Sequence, residues 1–151
     1  MNILTKIKDD VPFGCAVLFF FGGVVSMVIS LILTLLHLSG NGAEINDLYN
    51  NDHVLMLVAT VFVIPAIEEL FFRFLLYKQF LRKRIKAGPY PCSLAVGIVF
   101  GLLHQPIPAM ITGFITGTIL CLIYEKSGRL LYSICCHAGF NMMSYLMLLV
   151  M

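Results

Sequence analysis

Residues 54–73 read VLMLVATVFVIPAIEELFFR, and the two glutamates near the end of that run decide how the whole chain is read. From Val54 to Ile67 there is no charge; then Glu68 and Glu69 stand side by side, and Leu70, Phe71 and Phe72 follow before Arg73. A charged side chain at the centre of a bilayer costs roughly 2.5–3.5 kcal/mol on insertion scales. Two adjacent carboxylates in such a segment therefore need a compensating arrangement. Downstream, His104, His137 and Asn141 interrupt equally apolar stretches. Polar groups there are destabilising unless they meet one another. All five are accordingly expected in one intramembrane site.

Composition supports a membrane protein independently. The chain is 60% hydrophobic and only 12% charged, where soluble domains carry about 25% charged residues, and its mean hydropathy is +0.94. Its 151 residues suit one integral-membrane domain, 1–151, with the polar motifs confined to a core of about 60–145. The expected fold is all-α, a polytopic transmembrane bundle of about five spans with the polar site inside it. Neither an internal repeat nor a low-complexity segment is evident.

The first span, Val11 to Leu38, is uncharged and longer than the ~20 apolar residues a crossing needs. Lys6 and Lys8 precede it as they would a signal peptide, but the apolar run exceeds the ~7–15 residues of a signal core and lacks a small-x-small cleavage site. Ser39 to Asp52 reads as a loop punctuated by Gly40-Asn41-Gly42 and charged only by Glu44, Asp47 and Asp52. The second helix is expected from Asp52 or His53 to Arg84, kinked by Pro65 just before the acidic pair. Gly88-Pro89-Tyr90-Pro91 turns the chain into a third helix, Ser93 to His104, which Gln105-Pro106-Ile107-Pro108 breaks. Ala109 to Tyr124 and Leu130 to Met151 complete the set, although Ser93–Tyr124 could also be a partly re-entrant hairpin.

Basic residues fix an expected orientation. Lys78, Arg82, Lys83, Arg84 and Lys86 cluster beyond the second span, and Lys126 and Arg129 beyond the fourth. The positive-inside rule places these loops and the amino terminus in the cytoplasm, with the acidic loop and the carboxyl terminus outside. No separate domain is available to hold a duplex, so the cluster does not imply nucleic-acid binding. With that orientation Glu68, His104, His137 and Asn141 lie roughly 12–18 Å deep, on three different helices. Matched depth is what a single site requires.

Spacing assigns the two glutamates different tasks. Glu69 and Arg73 are four apart and can pair on one helix face, whereas Glu68 points elsewhere and lacks a local counter-ion. Glu68 is thus the candidate base, although mutual neutralisation of the three is the plainer alternative. His137 and Asn141 also share a face; taken alone, either could be an ordinary interhelical hydrogen bond. Gly97 and Gly101, then Gly113 and Gly117, are small-xxx-small pairs that allow close helix approach. His37 and His53 sit at predicted membrane edges. Cys15, Cys92, Cys121, Cys135 and Cys136 have no zinc-ligand spacing and read as packing residues, with a thiol nucleophile beside His137 as a remote alternative.

Three short signatures carry a family resemblance. Glu68-Glu69-Leu70-Phe71-Phe72-Arg73 fits Glu-Glu-x-x-x-Arg, Phe100-Gly101-Leu102-Leu103-His104 fits Phe-x-x-x-His, and His137-Ala138-Gly139-Phe140-Asn141 fits His-x-x-x-Asn. In this order, on separate apolar helices, they resemble the CAAX-protease and bacteriocin-processing (CPBP, or Abi) family of intramembrane glutamate endopeptidases. The resemblance implies that Glu68 with His104 activates a water, that His137 and Asn141 stabilise the oxyanion, and that Glu69 and Arg73 position the site. It implies no cofactor and no metal. The substrate would be a peptide, either prenylated at a CAAX-type terminus or a bacteriocin-type leader, and the protein would sit in a bacterial plasma membrane. Two other readings are a zinc-dependent membrane protease, without a His-Glu-x-x-His helix to support it, and a non-catalytic immunity or partner-binding protein.

Overall fold

The computed structural model describes residues 3–38 and 53–150, and every regular element in them is helical. The acidic loop expected between Ser39 and Asp52 lies outside the described residues. A short helix α1 (Ile3–Asp9) leads into α2 (Val11–Leu35), whose first turn is capped by the Asp10 carboxylate accepting from Phe13 N–H at 3.0 Å. At 25 residues α2 is about 37 Å long, ample for a crossing. Residues 53–84 form one unbroken helical rod, α3, in which α-helical His53–Val58 and Ile64–Glu69 alternate with wider π-helical Ala59–Val63 and Leu70–Arg84. There follow α4 (Pro89–Leu102), α5 (Ile107–Ser127) and α6 (Leu130–Val150).

Among the described residues, three helices are long and apolar enough to cross a membrane: Val11–Leu35, Val54–Arg84 and Ile107–Ser127. The expected third crossing differs. Its helix stops at Leu102, and 14 residues give about 21 Å, short of a full span. The Gly101 carbonyl still accepts from His104 N–H at 2.9 Å to close the last turn, and after a cis Gln105–Pro106 bond the chain turns into α5. α4 and α5 thus make the tight hairpin that the sequence left open.

Two helix pairs dominate the packing, α2 against α6 and α4 against α5. Both rest on glycine. Any side chain at Gly22 would collide with the Cys136 carbonyl, and any at Gly139 with the Phe19 carbonyl, so α2 and α6 meet backbone to backbone. Between α4 and α5 a Cβ at Gly113 would lie 3.1 Å from Gly101 Cα, and one at Gly117 3.2 Å from Gly97 Cα. The two small-residue stripes therefore interlock directly. One buried cluster of Phe72, Tyr77, Cys92, Val96, Phe100, Cys121 and Tyr124 joins α3, α4 and α5, and a second of Leu120, Cys136 and Phe140 joins α5 to α6.

The outward faces are apolar. Phe20, Leu31, Phe62, Ile67, Phe71, Ile98 and Leu102 are all exposed, a surface that in water would be an aggregation hazard and in lipid is simply solvated. The molecule is an all-α membrane helix bundle.

Candidate active site

α3 delivers three charged side chains into the bundle, and they are not equivalent. Arg73 Nε lies 3.0 Å from Glu69 Oε2, and both side chains are 0% exposed. The contact is an ion pair without hydrogen-bond alignment, and Arg73 Nη1 has no hydrogen-bond partner among the described residues. The guanidinium instead lies over the Phe100 ring, 4.7 Å from its centroid, while Nη2 donates to Gly117 O at 3.4 Å. Glu68 is 25% exposed and makes no contact with Arg73 among the described residues.

His137 on α6 connects the two carboxylates. Its Nδ1 lies 2.9 Å from Glu69 Oε1 and its Nε2 lies 3.5 Å from Glu68 Oε2. Glu69 is ion-paired and can only accept, so Nδ1 donates to it, and Nε2 is left facing Glu68. Arg73, Glu69, His137 and Glu68 thus form one continuous chain, buried at the arginine end and accessible at Glu68.

His104 reaches the same region by a different device. It lies beyond the last helical residue of α4, and its Nδ1 donates to the Phe100 carbonyl at 2.7 Å. That bond leaves Nε2 as the proton-accepting nitrogen of the neutral ring. Phe100 packs against both imidazoles, with ring centroids 4.6 Å from His104 and 5.7 Å from His137. The two histidines and Asn141 line a cavity of about 260 Å³, completed by hydroxyls from α2 (Ser26 and Ser30), α5 (Thr112 and Thr116) and α6 (Ser144).

Asn141 has a partner that follows from Pro65. Ile64 N–H is committed to Ala59 O in the π-turn, and Pro65 has no N–H to offer Thr60 O. Asn141 Nδ2 donates to that Thr60 carbonyl at 2.9 Å. One amide hydrogen closes the gap left by the proline, and the second is free for the cavity it lines. The kink expected at Pro65 is thus a widened turn, held by α6.

Of the six polar residues singled out in the sequence, His104, His137 and Asn141 line the cavity, and Glu68, Glu69 and Arg73 are connected to it through His137. The sequence reading did not pick out Phe100 as a contact, the Thr60 carbonyl, or the Ser26–Ser144 hydroxyl pair at 3.2 Å. A signal for the last existed: Ser26, Ser30 and Thr34 repeat every four residues in a largely apolar span. All five cysteines are free thiols and none lines the cavity, although Cys121 and Cys136 lie near the Glu69–Arg73 pair. His37 is exposed beyond the end of α2, and the His53 side chain lies outside the described residues. Among the described residues no group of three or more His, Cys, Asp or Glu is arranged to hold a metal ion.

Comparison with known families gives a match over the motif-bearing part of the chain. The family model described as type II CAAX prenyl endopeptidase Rce1-like matches residues 50–143, well over half the chain and inclusive of every motif above. No curated protein and no solved structure matches the chain.

Proposed function

The chain belongs to the Rce1-like family of type II CAAX prenyl endopeptidases, and from that premise we propose that it hydrolyses a peptide bond within the membrane, using Glu68 and His104 to activate water. Family membership and the apolar helices establish an integral membrane protein of a CAAX-protease, peptide-hydrolase family. The residue roles and the substrate are the proposal.

Glu68, as carboxylate, takes a proton from a water shared with His104 Nε2, and the water oxygen adds to the scissile carbonyl. Asn141, through its second amide hydrogen, and His137, through a protonated Nε2, donate to the oxyanion that forms. Collapse of the tetrahedral intermediate breaks the C–N bond, and the proton held by Glu68 passes to the leaving amine. Glu69 and Arg73 do not touch the reacting atoms; they hold the His137 ring in place from the buried side. The substrate is a peptide that enters from the bilayer, prenylated at a CAAX-type terminus or carrying a bacteriocin-type leader. The cavity's hydroxyl and amide lining is suited to an extended backbone, whose polar groups need partners in lipid.

One observation carries this reading: an accessible carboxylate, without an arginine partner among the described residues, abuts a histidine that is fixed by a wholly buried ion pair. The test is cleavage of a fluorogenic prenylated CAAX peptide, alongside its unprenylated form, by protein in liposomes. Glu68→Gln preserves size and hydrogen bonding and should lower the rate by about 10²–10⁴-fold, the usual worth of a general base. Cleavage at the parent rate by a folded Glu68→Gln protein would overturn the assignment.

A further inference from the structure

At the basic ends of α3 and α5 lies a second cavity, of about 370 Å³, that shares no residue with the active site. Lys78, Arg82 and Lys83 line it with Tyr124, Glu125 and Gly128. Its walls are organised. Arg82 holds Glu125 through Nη2 at 2.6 Å and Nε at 3.3 Å, and spends Nη1 on the Ala87 carbonyl at 2.6 Å. Tyr77 also donates to Glu125, at 3.0 Å, from the buried side. The arginine and the glutamate therefore cancel, and their hydrogen-bonding capacity facing each other is used. Two cations remain. Lys78 Nζ is steered over the Tyr124 ring, 4.9 Å from its centroid, and Lys83 has no ion pair or hydrogen bond among the described residues.

We propose that this cavity binds a phosphate group, held between Lys78 and Lys83, and that the group is the headgroup phosphate of an anionic membrane lipid. The site lies where the two candidate spans Val54–Arg84 and Ile107–Ser127 end, the depth at which lipid phosphates are found. Exposed Phe74 and Phe80 on the same stretch of α3 offer apolar surface to the acyl chains. Two ammonium groups, each a compact charge with rotatable donors, suit a phosphate that arrives without a fixed orientation. Positive-inside charge alone would scatter its lysines over the loop. Here an internal ion pair instead stands beside two lysines that make no close ion pair among the described residues, and a cation–π contact positions the first. Occupancy would clamp the ends of α3 and α5 together, at the opposite end of the rod from Thr60.

The test uses the full chain in nanodiscs of phosphatidylcholine with a minor fraction of phosphatidylglycerol, and counts retained lipid by native mass spectrometry. The double variant Lys78→Gln/Lys83→Gln should retain phosphatidylglycerol more weakly, roughly fivefold for each lysine removed. The charge-matched double variant Arg84→Gln/Lys86→Gln, outside the cavity, should retain it as the parent does. A parallel titration with glycerol 1-phosphate separates the sources: no displacement at millimolar levels keeps the lipid, whereas full displacement assigns the same site to a soluble phosphate compound. Equal weakening in both double variants, or retention of phosphatidylcholine equal to that of phosphatidylglycerol, would overturn the site. Thermal midpoints in pure phosphatidylcholine verify that each variant is folded, so a loss of binding cannot be a loss of structure.

Discussion

Glu68 and Glu69 are one peptide bond apart and physically opposite. The first is partly exposed and, among the described residues, pairs with an imidazole; the second is sealed against Arg73 and His137. Removing one partner of a buried ion pair strands the other, a loss of about 3–5 kcal/mol. Glu69→Gln should therefore lower the thermal midpoint substantially in detergent, whereas Glu68→Gln should leave it almost unchanged while abolishing turnover. Denaturation curves beside initial rates check this directly, and equal destabilisation by both substitutions would contradict the division of labour. The division was legible in the sequence, because the i,i+4 spacing to Arg73 exists for Glu69 alone. The bridging by His137 was not, since contacts 68 residues apart leave no local trace.

At the scale of elements, the first π-helical turn of α3 depends on one residue. Pro65 forces the π-turn, the π-turn frees Thr60 O, and α6 answers with Asn141. Asn141→Leu leaves a buried carbonyl unsatisfied and should cost about 1–3 kcal/mol. Pro65→Ala restores an N–H at position 65, so the cost of Asn141→Leu should shrink in that background. A double-mutant cycle of unfolding free energies measures the coupling, and strictly additive costs would refute the link. The α2–α6 seam makes a comparable demand. Gly139→Leu drives a side chain into the Phe19 backbone and should separate the helices, costing at least the ~1–3 kcal/mol typical of overpacking. Gly23→Ala, where a methyl would meet only ordinary contacts at 3.6 Å, is the matched control and should be nearly silent in the same thermal assay.

Over the whole molecule, two ties gather the basic segments at one end. Arg82–Glu125 joins α3 to α5, and Tyr132 donates to Ile7 O at 2.5 Å, joining α1 to α6. Lys6, the Lys78–Lys86 run and Lys126–Arg129 thereby share a side, as one orientation in the bilayer demands. We expect that side to be cytoplasmic. A Lys83→Cys protein in intact cells should resist a membrane-impermeant maleimide and react once the cells are opened, measured against the parent, whose five thiols are buried or half-buried. Labelling in intact cells would invert the topology. The same scale shows why α2 matters although it lies outside the family match: it closes the candidate active-site cavity with Ser26 and Ser30. That wall belongs to this chain rather than to the matched core.

Sequence alone determined the solvent, the helical class and the identity of the polar residues, because hydropathy and i,i+4 spacing are local quantities that each segment carries by itself. It also marked Gly97, Gly101, Gly113 and Gly117 as approach points, since only the smallest residue lets backbones touch. Only the tertiary structure decided that α4 falls short of a crossing and that Pro65 widens a turn rather than simply kinking it. It also decided that His137, not an arginine, stands between the two glutamates, and that α2 supplies a cavity wall. Each of those outcomes is fixed by which distant backbone or side chain satisfies a group that cannot meet water in the bilayer, and that pairing exists only once the helices have packed.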